Sequence, residues 1–216
     1  MNTAKPARPS RVRGGLLLPV ALKAAWTAVL YAVLLSLLPL SSLAQTQVWN
    51  NLGAGMNATV SNTIFASGSL YVGGGFTNAG GVPANRVAAW DGATWTNLGS
   101  GLNAAVNAMA MGTNGTLYTG GAFSNAGGLP ANYVAAWDGS SWTNLGSGMN
   151  LFGTVNAVTL DTNGNLYAGG GFTNAGGVAA KYVAMWDGSS WTNLGSGMNS
   201  SVQALTADAN GNVYAG

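Results

Sequence analysis

Only five side chains in the 216-residue sequence carry a carboxylate, and all are aspartates: Asp91, Asp138, Asp161, Asp187 and Asp208. The sequence has no His, no Cys and no Glu. This inventory excludes His- or Cys-based nucleophilic catalysis and a zinc site made of ordinary ligands. Two carboxylates could still hydrolyse a glycosidic bond, provided one is held protonated as the acid and the other stays ionised. Asp91, Asp138 and Asp187 each precede a Gly and recur 47 and 49 residues apart. Residues repeated at one period occupy equivalent, well-separated places with the same surroundings, so they read as turn formers. Asp161 and Asp208 open "DTNGN" and "DANGN", whose alternating oxygen-bearing side chains resemble a calcium loop. A second acid and the distal Glu of such loops are missing, and the preceding repeat has Gly112 in that place. A hairpin turn is therefore expected there, with no metal, no cofactor and no catalytic residue anywhere in the chain.

The remaining chemistry is aromatic. Trp95, Trp142 and Trp191 each precede an Asn by two positions, at Asn97, Asn144 and Asn193. Indole faces stack on sugar rings and amides pair with hydroxyls, so this set could form a multivalent carbohydrate-binding surface. The alternative, which the weight of large aromatics in protein cores favours, is that these Trp side chains pack between structural units. The Gly-rich "GGGFTNAGG" superficially suggests a phosphate cradle, but no helix follows it and it recurs in every repeat, so a nucleotide site is not expected.

The elements that must position these residues come from an internal repeat. "LYVGGGFTNAGG" at 70, "LYTGGAFSNAGG" at 117 and "LYAGGGFTNAGG" at 166 share one period with the Trp-x-Asn-Leu-Gly elements at Trp49, Trp95, Trp142 and Trp191. The pattern within a period is that of short strands parted by turn residues. In the third copy it predicts strands over 155–160, 165–172, 182–187 and 190–195. The first two are joined by Asn-Gly and the last two by Asp-Gly, both read as type I′ turns. "TNAGGVAAK" reads as a long loop, and "GSGMN" as the link to the next repeat. Four antiparallel strands in 47–49 residues are the size of a β-propeller blade, which must stack on neighbours to bury its faces. The fold class expected is all-β, a propeller of about 3.5 repeats over 55–101, 102–148, 149–197 and a partial 198–216, with a further strand at Trp49. The glycine pairs Gly73 and Gly74, Gly120 and Gly121, and Gly169 and Gly170 are expected to allow close backbone approach near the axis. A two-residue insertion at Leu151 and Phe152 is expected to display an apolar contact or to lengthen a connection.

These residues resemble the kelch-type repeat, whose second strand ends in paired glycines and whose third and fourth strands carry an aromatic and then a Trp. Trp90, Trp137 and Trp186 stand where that family usually has Tyr, and Trp95, Trp142 and Trp191 stand at its Trp. The form is similar to kelch-like repeats of exported bacterial proteins and to the ectodomain of a fungal cell-polarity landmark protein. The resemblance covers roughly residues 47–216 and implies architecture, with Trp95, Trp142 and Trp191 wedged between blades and Trp90, Trp137 and Trp186 as structural packing residues. It implies no particular activity, since such propellers serve as enzymes, adhesins and scaffolds alike.

Charge and hydropathy fix the compartment expected. Residues 1–44 have a basic stretch ending at Arg13, an apolar run from Ala24 to Leu40, and "SLA" before Gln45, the three parts of a signal peptide. An uncleaved membrane anchor, in the form of a hydrophobic leader helix, is the competing reading. After Lys23 only Arg86 and Lys181 are basic, against five Asp, so no patch remains for nucleic acid. The expected protein is secreted or at the cell surface, a non-catalytic module for binding, adhesion or scaffolding whose partner is a protein or glycan. The alternatives are a lectin-like propeller and a piece of a secreted enzyme with its catalytic residues beyond 216. A fourth blade assembled from the two ends would lack its third strand, so a truncated frame and self-association through open blade edges are expected as well.

Overall fold

In the computed structural model, residues 52–150 and 153–216 are described. The leader, its cleavage site, the strand at Trp49 and the insertion at Leu151 and Phe152 lie outside them.

The first blade begins with β1 (Val60–Ala66) and β2 (Ser69–Gly74), passes through a two-stranded ribbon, β3 (Asn78–Ala79) and β4 (Val82–Pro83), and ends with β5 (Val87–Trp90) and β6 (Trp95–Asn97). The second repeats this plan with β7 (Val106–Met111), β8 (Leu117–Gly121), ribbon β9 (Asn125–Ala126) and β10 (Leu129–Pro130), β11 (Val134–Trp137) and β12 (Trp142–Asn144). The third has β13 (Val155–Leu160), β14 (Leu166–Gly170), ribbon β15 (Asn174–Ala175) and β16 (Val178–Ala179), β17 (Val183–Trp186) and β18 (Trp191–Asn193). A hairpin of β19 (Leu205–Ala207) and β20 (Val213–Ala215) follows. Each blade is an antiparallel meander, hydrogen-bonded in the orders β1-β2-β5-β6, β7-β8-β11-β12 and β13-β14-β17-β18. Among the described residues no helix is long and apolar enough to cross a membrane.

The first strands of consecutive blades pack on one another: β1 on β7, β7 on β13 and β13 on β19. The core lies between blades rather than inside them, because a single sheet has no second layer to cover its face. One cluster joins Val87, Leu98 and Leu102 of the first blade and its exit to Val106, Met109 and Trp142 of the second. A second cluster joins Val134 and Leu145 to Val155, Val158 and Trp191. Phe76, Phe123 and Phe172, one per repeat, are fully buried.

The glycine pairs sit where this stacking is tightest. A Cβ on Gly73 would stand 2.7 Å from Val106 and 2.9 Å from the Met109 sulfur of the next blade. Gly120 meets Val155 and Val158 in the same way, and Gly169 meets Val202 and Leu205. The second glycine of each pair, Gly74, Gly121 or Gly170, lies instead against the backbone entering its own blade's first strand, at Thr59, Ala105 or Thr154. One glycine thus admits the neighbouring blade and the other admits the chain's own backbone.

The connections differ from the sequence reading in three ways. The stretch read as a loop between the second and third strands contains the ribbon, turned by Gly-Gly pairs such as Gly176 and Gly177 with φ of 59° and 89°. Both central residues at positive φ make a type I′ turn, for which Gly-Gly is well suited. The Asn-Gly turns are not of that type, because only the Gly is left-handed, as at Gly164 with φ of 86°. There Gly164 N–H donates to the Asp161 carbonyl and Asp161 N–H to the Asn165 carbonyl, the pattern of a three-residue loop with a left-handed third position. In the Asp-Gly turns the Asp likewise keeps negative φ. The first blade does use a type I′ turn between β1 and β2, at Ser67 and Gly68.

Candidate functional site

The two Trp sets pair directly across the hairpin of each blade's third and fourth strands, as Trp90 with Trp95, Trp137 with Trp142 and Trp186 with Trp191. Their rings are 5.3–5.5 Å apart and tilted by 50–51°, a favourable arrangement for two quadrupoles. The fourth-strand Trp is the buried one, with 6%, 4% and 3% exposure at Trp95, Trp142 and Trp191. Each donates its indole N–H backwards to the preceding unit: Trp95 to the Leu52 carbonyl, Trp142 to Leu98 and Trp191 to Leu145, at 2.8–2.9 Å. The glycine after that Leu lies under the rings; a Cβ on Gly99 would stand 3.2 Å from the Trp137 ring and 3.6 Å from that of Trp142.

Asn97, Asn144 and Asn193 are exposed on the outer strand, and Asn144 reaches back to the Pro130 carbonyl at 3.4 Å. The structure therefore does not bring a free indole face beside each of these amides. A sugar could meet the Asn residues but would find the Trp partners enclosed by protein.

The aspartates are engaged by donors of their own loops. Asp138 Oδ1 accepts from the backbone N–H of Ser140 and Ser141 and from the Ser140 hydroxyl, while Oδ2 accepts from the Ser141 hydroxyl. These donors, led by the Ser141 and Ser140 N–H groups, hold its carboxyl well below the usual carboxylate range. Asp187 repeats the arrangement with Ser190 and Ser189 and is lowered to about 2. Asp91 is lowered in the same direction by the Thr94 and Ala93 N–H groups. Asp161 and Asp208 each accept from two backbone N–H groups, an Asn amide and a Tyr hydroxyl. The calcium-loop reading needs oxygens converging on an ion, but these carboxylates are ringed by N–H and O–H donors. Among the described residues no three His, Cys, Asp or Glu side chains cluster.

One set of solvent-exposed polar groups lies on the ribbons and the links between blades. Asn103, at the end of the first link, accepts from the N–H groups of Ser124 and Asn125 and donates to the Ser124 hydroxyl, clamping the link to the second ribbon. Asn57 and Asn150 do the same for the first and third ribbons. Isolated bridges Met56 to Ala79, Leu102 to Ala126 and Met149 to Ala175 run beside these clamps. Leu129 at 53% exposure and Val178 at 40% mark the second and third ribbons with apolar tips.

Between the first link and the second ribbon a cleft of about 500 Å³ opens, lined by Asn85, Arg86, Ser100, Asn103 and Asn125. Arg86 stands where the other blades have Tyr133 and Tyr182, and all three hold left-handed φ of 68–71°. Sequence reasoning passed over it; the signal available was the one charged residue at a repeat position otherwise held by Tyr.

Stacked four-stranded meanders, with first strands packed together and Trp side chains locking each blade to the last, define a β-propeller. The chain belongs to the Rax2 C-terminal β-propeller domain family, whose model matches residues 95–215, more than half of the sequence. The resemblance to the fungal landmark ectodomain is thus borne out. No curated protein matches. Among solved structures, the extracellular domain of a hybrid two-component system from B. thetaiotaomicron is similar at 14% identity and a TM-score of 0.50, over 74% of this chain and 20% of that one. The designed protein Ika4 matches at 14% identity and 0.48 over 78% of this chain and 98% of its own. The WD40 propeller of Doa1 matches at 13% and 0.37 over 75% and 62%. At such identities the likeness concerns the fold, and the chain spans about one fifth of the length of the bacterial domain.

Proposed function

We propose that the chain is an exported, non-catalytic propeller module that binds a macromolecule at the cell surface through its ribbon and link face. The observation that carries this reading is that the carboxylate of every described aspartate accepts three or four hydrogen bonds from its own turn. A general acid or base must reach a substrate proton, whereas these oxygens already accept from local donors. Exposed polar groups with no part in the Trp-locked stack instead lie on the ribbons and links. Export rests on the signal-like pattern of residues 1–44.

The test is to express the full chain, ask whether protease added to intact cells digests it, and titrate labelled protein onto isolated cell-wall material. Saturable binding displaced by unlabelled chain is expected, together with protease accessibility. Protection from protease, or binding that never saturates, removes the proposal. The carbohydrate-binding alternative is not carried by Trp95, Trp142 or Trp191, which are enclosed between blades.

A further inference from the structure

We infer that the cleft beside Arg86 binds the carboxylate of a uronic-acid-bearing glycan, an assignment that rests on the binding-module reading and gives it a ligand class. Beyond Lys23 the chain has two basic residues, and one of them, half-buried, lines this cleft. Its Nη1 donates to the carbonyl oxygens of Gly75 and Phe76, which fixes the guanidinium to the strand exit. No other hydrogen bond and no ion pair reaches it among the described residues. A guanidinium offers five N–H donors in a planar fork, so the edge formed by Nε and Nη2 remains for a carboxylate to take in bidentate fashion. A half-buried cation without an anion is costly, and a bound carboxylate removes that cost.

The backbone holds the group in place. Arg86 N–H donates to the Phe76 carbonyl and Gly74 N–H to the Arg86 carbonyl, at 2.9 Å each, pinning a left-handed residue that ordinarily favours Gly. Around it the polar side chains keep both donor and acceptor capacity. Asn85 uses Nδ2 on the Ser100 carbonyl at 3.0 Å and leaves Oδ1. Asn125 accepts from the Ser124 hydroxyl at Oδ1 and leaves its amide N–H groups, and the Ser100 hydroxyl has no protein partner among the described residues.

Sugar hydroxyls donate and accept at once, which suits amides and a hydroxyl of this kind, and the volume lies within the range of about 300–1,000 Å³ for small-ligand sites. The apolar residue lining the cleft, Leu102, is 3% exposed, so it offers little to the side chains of an acidic peptide. In the second and third repeats Tyr133 and Tyr182 take the place of Arg86, so the repeat unit supplies the cation at this position in the first repeat alone.

The experiment is calorimetric titration of the full chain with a galacturonate trisaccharide, a neutral galactose trisaccharide and a polyglutamate peptide, in wild type, Arg86→Tyr and Asn97→Ala. Arg86→Tyr installs the residue that the second and third blades hold at the same φ, so the fold is retained, and circular dichroism with a thermal melt checks it. Expected are at least tenfold tighter binding of the uronate than of the neutral sugar, a tenfold or greater loss in Arg86→Tyr, and no change in Asn97→Ala. Equal affinity for the neutral sugar, undiminished uronate binding by Arg86→Tyr, or polyglutamate binding as tight as the uronate overturns the inference. No uronate binding alongside saturable cell-wall binding also overturns it, while leaving the module reading in place.

Discussion

The indole N–H of Trp142 donates to the carbonyl oxygen of Leu98 at 2.8 Å, a bond that leaves one blade and ends on the residue that closes the one before. Because Trp95 and Trp191 make the same bond, the repeat is a device for joining consecutive blades. The Leu carbonyl ends a fourth strand, the Gly after it admits the rings, and the Trp comes from the following repeat, so each copy carries both halves of the joint.

Trp142→Ala is expected to destabilise the protein by about 3–5 kcal/mol, the usual cost of emptying a buried aromatic site. Trp142→Phe keeps much of the packing but strands the Leu98 carbonyl and should cost about 1–3 kcal/mol. Asn144→Ala, exposed on the outer strand, should fall within about 0.5 kcal/mol of wild type. Urea unfolding of the three variants gives the comparison. A Trp142→Ala protein as stable as wild type, but unable to bind glycans, would contradict the joint and restore the lectin reading.

Gly120→Ala places a methyl group against Val155 and Val158 of the next blade, with the Val155 Cβ at 3.0 Å and Val158 Cγ1 at 3.1 Å. Overpacking of this kind typically costs about 1–3 kcal/mol. Combining it with Val155→Ala, itself destabilising, should recover part of the loss, because the removed methyl groups make room for the added one. A double-mutant cycle measures the recovery, and strict additivity would show that the two blades do not meet there.

Much of this architecture was legible because the repeat states it several times over. The first strand of the third blade runs Val155–Leu160, as the alternation of the sequence indicates, and the Trp-Trp hairpin follows from two aromatics flanking a turn. The ribbon was hidden by its brevity: two residues on each side of Gly176 and Gly177 give no alternation to read, although the Gly-Gly pair was a turn signal in itself. The turn types were misread because Asp138 and Asp187 cap their loops through side-chain oxygens, which removes any need for left-handed φ at the Asp. The cleft was invisible because it joins Arg86 to Asn125 across two blades, and repeat logic directs attention to what recurs rather than to the one residue that does not.

Asn103 clamps the second ribbon through two N–H groups received at Oδ1, from Ser124 and Asn125 at 3.0 Å each, and one bond given to the Ser124 hydroxyl. Asn103→Ala leaves those N–H groups without their acceptor and should cost about 0.5–2 kcal/mol, as for a lost helix cap of similar chemistry. Asn103→Asp retains the acceptor and should cost less. Hydrogen exchange at Ser124 and Asn125 should quicken in the Ala variant and change little in the Asp variant; equal exchange in both would place the ribbon's support elsewhere.

Acid should weaken the protein through its Asp-capped turns, and Asp187 defines the window. Its folded-state carboxyl titrates at about 2, against 3.8 for the free group, because the Ser190 and Ser189 N–H groups favour the charged form. Between those values the unfolded chain binds more protons than the folded one, so stability rises with pH across the window. The contribution is fully present above the unfolded value and is lost as pH falls through about 2. Asp187→Asn keeps an oxygen able to accept from Ser189 and Ser190 but cannot titrate. Its urea midpoint should lie below that of wild type at pH 7, and the gap should narrow as acid is added until it closes near pH 2. A gap that stays constant across this range would mean that the carboxylate's charge contributes nothing.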